Sequence, residues 1–368
     1  MENTNNSHKA YKLNNLSSKE HKEFVDLMIF MAKDSEDTDL DRETVSKGLN
    51  IVLNNKDIGH YNMIKDENNN ILGFNLVHYE YDIKTQTNYH WIGSLFVVKE
   101  HRRKGIFSNY ILNINKNQVI EKSISNTITN TINEHNKFNN VIRLYMDIYN
   151  KNAEQAYYKN GFYIKKELNV FEEDSLVNLK LKDTQKIIYL EDSNKFTLDI
   201  ATKVDYAYIE EFINKISEDT KYYILSIKKI IDCNFNSKEY CLKAHLEGIK
   251  TVLDNTNKGK ILLIKEKNNK DVIGMIYVSY EPSDWRNNLI WWIYEGIINS
   301  KYFDDSSFSS NCTKDIISFN KIINSIIKLN NNNGGNCTRF ILPNYNEDNY
   351  KNSRALKSHY LVFEKEVN

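Results

Sequence analysis

The chain has 368 residues, a formal net charge of +0 and a pI near 7.1. That length admits two ordinary domains, and 40% hydrophobic against 27% charged residues suits a globular protein with a substantial core. The neutral balance argues against broad electrostatic binding to nucleic acid or acidic membranes.

The longest apolar runs, such as "LIWWIYEGII", are shorter than the ~20 residues a membrane-spanning helix needs. The opening "MENTNNSHKAYKL" lacks the apolar centre of a signal peptide. Cys233, Cys241, Cys312 and Cys337 follow no zinc or redox spacing. The expectation is a cytoplasmic protein with reduced thiols and no bound metal, without nucleic-acid or membrane partners.

In chain order, 3.6-residue periodicity predicts helices over 19–32 ("KEHKEFVDLMIFMA") and 41–53. Two strands, 60–64 and 71–80, follow around an Asn-rich turn. A third, "WIGSLFVV" (91–98), runs directly into "KEHRRKGIF" (99–107). "TNTINEHNKFNN" (129–140) reads as a solvated loop. "RLYMDIYNKNAEQAYYKNGFYI" (143–164) then reads as strand, helix, strand. The same order returns with helices over 203–216 and 237–253, strands over 260–264 and 272–281, and a tryptophan-bearing strand. "LNNNNGGN" (329–336) reads as another solvated loop.

This return is a repeat in register. Gly48, Val52, Gly59 and Lys65 match Gly248, Val252, Gly259 and Lys265 at a shift of 200. After one extra residue Gly73, Tyr79, Glu80 and Trp91 match Gly274, Tyr280, Glu281 and Trp292 at 201. Codon bias scatters Asn and Lys matches but does not align Gly, Tyr and Trp in one frame. Two copies of one fold are expected, over 1–183 and 194–368, joined near 181–196.

At the end of the third strand, Arg102, Arg103, Lys104 and Gly105 precede an expected helix. Unpaired N–H groups at a helix start, added basic charge and a glycine make an anion-binding turn, although three basic residues alone more often form a solvated turn. Further on stand Asn150, Ala153, Tyr157, Gly161 and Phe162. With Val97 ahead of R-x-x-G-x-F (102–107) and N-x-x-A-x-x-x-Y-x-x-x-G-F (150–162), the chain resembles the GNAT superfamily of acyl-CoA-dependent N-acyltransferases. It departs from that pattern at Phe107, where the family has Gly or Ala.

The resemblance implies an α/β (α+β) fold of two tandem GNAT-like domains, each a mixed, mostly antiparallel sheet flanked by helices. It implies acetyl-CoA as cosubstrate and a primary amine of a small molecule or protein as acceptor. Leu95, Phe96 and Val97 would bond the pantetheine arm through their backbone. Arg102, Arg103, Lys104, Gly105, Ile106, Phe107 and Ser108 would surround the pyrophosphate, with Asn150 also on the coenzyme. Tyr157 would protonate the leaving thiolate. Glu80 and His90 are candidates for the base, Glu80 having a structural rival role because Glu281 repeats it.

In the second copy the places of Arg102–Phe107 fall on "FDDSSF" (303–308), where two aspartates would repel a phosphate. That copy is expected to be degenerate and non-catalytic. Transfer of a longer acyl group, or a non-catalytic acyl-CoA sensor, are the competing readings.

Overall fold

A computed structural model describes residues 12–111, 141–174, 187–189, 195–218, 222–225, 238–283, 285–304, 317–335, 337–341 and 356–366. In the first half these form β1 (Lys12–Asn15), α1 (His21–Glu36), α2 (Arg42–Leu53), β2 (Gly59–Lys65), β3 (Ile71–Asp82) and β4 (Thr87–Val97). They continue with helix α3 (106–111), β5 (Val141–Asp147), α4 (Lys151–Lys159) and β6 (Tyr163–Asp174). The expected loop at 129–140 lies outside the described residues. The join at 181–196 contributes a short strand, β7 (Ile187–Tyr189).

The second half comprises β8 (Phe196–Ile200), α5 (Tyr206–Glu218), β9 (Tyr222–Leu225), α6 (Lys238–Asp254), β10 (Lys260–Glu266), β11 (Val272–Ser283) and β12 (Asn288–Asn299). β13 (Phe303–Asp304), β14 (Ile317–Ser318), α7 (Phe319–Asn332), β15 (Cys337–Ile341) and β16 (Leu356–Glu366) complete it. One sequence expectation is corrected here. "LNNNNGGN" does not begin as a solvated loop, because α7 runs on to Asn332. Asn330 is fully buried, its Nδ2 donating to the carbonyl of Cys337 (2.8 Å) and to Thr338 Oγ1 (3.0 Å). An asparagine whose amide nitrogen finds both its partners inside the protein sits as core, which composition alone does not reveal.

Local chemistry explains the elements. Asp41 accepts the N–H of Thr44 and starts α2. The β2–β3 turn closes with Asn69 at φ 66, and its counterpart Lys270 takes φ 62. Both halves slip register at the matched place, between Ile64 and Lys65 and between Ile264 and Lys265.

The strands run β1-β2-β3-β4-β5-β16-β6-β15-β12-β11-β10-β8-β7 in one sheet, with β9 pairing β12 off this path. Within this sheet each half is mixed and mostly antiparallel, with one parallel step, β4 to β5 and β12 to β15, while β13 and β14 pair in parallel apart from it. The centre is an exchange. β16, the chain's last strand, lies between β5 and β6 of the first half, and β6 pairs with β15 of the second. An approximate two-fold axis therefore passes between β16 and β6. Beside it Tyr145 stacks on Trp91 (centroids 4.2 Å apart) and faces Trp292 (5.9 Å). The second-half tryptophans Trp291 and Trp292 are core, matching the repeat of Trp91.

The β3–β4 turn also crosses over. Tyr81 and Ile83 join the core formed by α5, α6, β10 and β11. Gln86 donates to the carbonyl of Ala244 (3.2 Å), and Tyr294 donates to Asp82 (3.1 Å). Reciprocally, Trp285 and Leu289 pack on the core beneath α1 and α2.

Lys84 reaches across this seam to Glu295 (2.6 Å), with His245 on the other carboxylate oxygen (3.2 Å). Burial would raise the Glu295 pKa, but Lys84 and His245 outweigh it and hold the carboxyl at about 2. A depressed carboxyl pKa stabilises the fold above its unfolded value of 4.5, and that contribution is lost as pH falls from there toward 2. Thermal unfolding midpoints are expected to drop across this acid window, and Glu295→Gln should flatten part of the drop. An unchanged profile in the variant would remove Glu295 from the account.

Candidate functional site

Parallel pairing of β4 and β5 is limited to His90, Trp91 and Ile92 against Ile142, Arg143 and Leu144. Beyond this point β4 stays with β3 and β5 stays with β16, which it pairs along its other edge from Val141 to Asp147. The two strands therefore part at their carboxyl ends, and among the described residues no strand pairs with this edge of β4. A bulge marks the parting: Asn75 pairs with Leu95 and Val77 with Ile92, so Gly93 and Ser94 together oppose Leu76. A bulge turns backbone groups out of the ladder. Sequence reasoning missed it, though a lone glycine inside a strand was its signal.

Peptide groups on either side of this edge alternate in direction. The N–H of Val98 goes to the carbonyl of Leu72 on β3 (2.9 Å). Val97 and Leu95 therefore present their backbone groups to the gap, and Phe96 presents its own to β3. The Phe96 side chain lies in the core under α1 and α2. Leu95 and Val97 pack instead with Ile106, Phe107 and Tyr157 on the opposite face.

The basic turn follows directly. Arg103 has φ 63 and Gly105 φ 78, two left-handed residues around Lys104, all three exposed. The first helical bond runs from Asn109 to the carbonyl of Gly105 (3.0 Å), so the N–H groups of Ile106, Phe107 and Ser108 stand ahead of the ladder. Alternating turn conformations with such N–H groups form an anion-binding concavity.

Arg102 has another task. Its Nε donates to the carbonyl of Val97 (2.8 Å), its Nη2 reaches Asp34 (2.5 Å), and its guanidinium lies over Phe96. It ties the turn to β4 and α1. A Cβ on Gly105 would meet nothing within 4 Å. Gly105→Ala is therefore expected to cost only the left-handed backbone penalty, about 1–2 kcal/mol, measurable by chemical denaturation. A larger loss would mean the space is not open.

α4 completes the site. Asn150 caps it, its side chain accepting the N–H of Ala153 (3.1 Å). Tyr157 packs against Phe107 (5.5 Å between centroids) and Phe162 (6.0 Å). Phe107 therefore points into the core and joins the turn to Tyr157. Burial raises the phenol pKa, favouring the protonated form.

The two base candidates sit differently. Glu80 is 2% exposed, opposite Tyr89 in the ladder, where the Arg143 guanidinium lies 3.7 Å from the Tyr89 ring. Its repeat Glu281 accepts from Arg339 (2.6 Å) and from the Trp292 indole (2.5 Å). Arg143 and Arg339 stand in the same register opposite the two tryptophans, a repeat that sequence alignment did not reach. His90 lies near Tyr79 (5.0 Å between rings), which contacts His60 Nδ1 (2.8 Å). Burial, with His60 adding to it, holds His90 neutral with a pKa of about 4.

In the second half the chain departs at the turn itself. Phe303 and Asp304, the counterparts of Arg102 and Arg103, form β13 against β14. The rest of "FDDSSF" (305–308) lies outside the described residues.

No protein-family model matches the sequence, and no curated protein matches it. Among solved structures, a GCN5-related N-acetyltransferase from Sphaerobacter thermophilus shares 9% identity, covering 97% of this chain and 96% of that one (TM-score 0.49). A tandem GNAT protein from the clavulanic acid biosynthesis pathway shares 8%, covering 98% and 99% (TM-score 0.49). The chain itself is built as two halves of matching strand order, each a mixed, mostly antiparallel set of strands flanked by helices. A possible acetyltransferase from Clostridium difficile 630 is 26% identical, covering 40% of this chain and 88% of that one (TM-score 0.31). Among the described residues no helix is long and apolar enough to cross a membrane.

Proposed function

We propose that the first half, bounded near residues 1–183, transfers an acetyl group from acetyl-CoA to a primary amine in a ternary complex. The observation that carries this reading is the parted edge of β4, bulged at Gly93 and Ser94, leading straight into the basic turn. An extended amide-bearing arm fits beside Leu95 and Val97 as an added strand, and its pyrophosphate falls at the turn. Arg103, Lys104 and the N–H groups of Ile106, Phe107 and Ser108 then neutralise it. Arg102 acts by holding the turn to Val97, and Asn150 by starting α4.

The arm brings its thioester to the bulge. A deprotonated amine attacks the carbonyl carbon, and a backbone N–H there takes up the developing oxyanion charge. Collapse breaks the carbon–sulfur bond, and Tyr157 donates its proton to the thiolate. Its raised pKa keeps that proton available at neutral pH. Glu80 serves the fold in this reading, locked in the central cluster like Glu281. The neutral imidazole of His90, on the face that carries Tyr157, is the better placed acceptor of the amine proton. The second half adds no second reaction centre.

Acetyl transfer measured over a panel of amines tests the proposal, with Tyr157→Phe as control. The expected loss in kcat is about 100-fold, the ordinary worth of one positioned proton donor, with acetyl-CoA binding retained. Binding without turnover across the panel, unaffected by Tyr157→Phe, would favour the acyl-CoA sensor instead.

A further inference from the structure

The second half repeats the parting of the first. β12 pairs with β15 only at Trp291 and Trp292, then runs on to Asn299 beside β11. It is bulged at the matched place, where Tyr277 pairs with Glu295 and Val278 with Ile293. Here, however, the edge is not left to a ligand. β9 lies antiparallel along it, with Leu225, Ile224, Tyr223 and Tyr222 opposite Gly296, Ile297, Ile298 and Asn299. At the repeat shift of 201 those four are the counterparts of Leu95, Phe96, Val97 and Val98.

We infer that β9 is a built-in substitute for the ligand arm, closing the second cleft so that the chain has one arm-binding edge rather than two. The insertion that supplies it is specific to the second half. α1 and α2 are joined by residues 37–41 alone, whereas α5 and α6 are separated by residues 219–237, which contain β9. The alternation that turns Leu95 and Val97 into the first gap turns Gly296 and Ile298 toward β9. Their backbone groups are satisfied by the chain itself, so an incoming arm gains no ladder bonds without first displacing a strand. The bulge is occupied as well, since Glu295, the counterpart of Ser94, is held by Lys84. By sequence, Asp304 stands where the first half has Arg103, so the cation is missing there as well as the open arm edge.

The test uses the full chain. Without ligand, amide hydrogen exchange at Gly296 and Ile298 is expected to be at least 100-fold slower than at Leu95 and Val97. Equal rates at the two edges would overturn the inference. S-acetylpantetheine, an arm without phosphates, is then titrated calorimetrically, an arm of the experiment that rests on the function proposed for the first half. The native chain should take one equivalent. A chain with 219–237 replaced by the short 37–41 loop should take two. Two equivalents on the native chain, or one on the replaced chain with Gly296 and Ile298 exchanging fast, would each overturn the closure. No binding at all, with the exchange contrast intact, would count against the first-half reading while leaving β9 as the occupant of the second edge. If the replaced chain does not fold, the exchange contrast in the native chain still decides.

Discussion

A chain ending at residue 355 is expected to lose the fold of the first half, although every residue of that half is still present. β16 is the strand between β5 and β6, registering Glu366–Tyr360 on Val141–Asp147 and Leu356–Glu364 on Glu172–Tyr163. Without it two inner edges open to water at once, each a row of unpaired backbone groups. Val362, fully buried in the cluster of Trp91 and Trp292, and Leu361, in the cluster of Ile106 and Tyr110, are lost with it. Each contributes about 1.5–3 kcal/mol by burial. Lys365 also leaves the carbonyl of Asn160 (2.6 Å), at the end of the helix that carries Tyr157. The sum is comparable with the whole net stability of a domain, about 5–15 kcal/mol. Circular dichroism should show no cooperative thermal transition for 1–183 expressed alone, and 1–355 should lose the part of the full chain's transition that belongs to the first half. A sharp transition in the isolated 1–183 fragment would refute the exchange as a requirement for folding.

Gly248→Ala should destabilise the chain by about 3 kcal/mol or more, against the usual trend for a helical glycine. Inside a helix this change ordinarily gains about 1 kcal/mol. Here the new Cβ would stand 1.8 Å from the carbonyl oxygen of Ile83, 2.6 Å from its carbon and 2.8 Å from its Cα. All three are main-chain atoms of the β3–β4 turn, and that turn is pinned by Gln86, Asp82 and the hydroxyl of Tyr277 on the carbonyl of Tyr81 (2.8 Å). Neither α6 nor the turn can yield without opening the seam between the halves, so the cost exceeds ordinary overpacking of about 1–3 kcal/mol. Thermal unfolding would register it as a fall of several degrees. An unchanged or raised midpoint would show that the seam is looser than the close approach implies.

Much of the local architecture is legible in the order of the amino acids. The periodicities locate α1, α2, α5 and α6, and the Gly–Trp–Tyr register at 200 and 201 locates matching strands in both halves. The candidate site is legible at the level of residue order, because the basic turn follows its strand directly and Tyr157 follows its cap at a helical interval. What each side chain does there is less legible. Arg102 is spent on Val97 and Asp34, and Phe107 turns inward onto Tyr157, because packing decides direction and adjacency in sequence does not.

By itself, then, the sequence determined the element types, the duplication, and the presence of a basic turn in one copy and its loss in the other. These are local properties, set by side-chain periodicity, turn conformations and charge within a few residues of one another. Only the tertiary structure decided that the two copies exchange their last strands, that each hairpin seats in the other's helices, and that β9 fills one of two equivalent clefts. β16 meets β5 across about 200 residues of chain, and a short strand such as "YYIL" carries no mark of which edge it will pair with. Such choices depend on which edges remain unpaired once everything else has packed, a condition no local stretch of sequence contains.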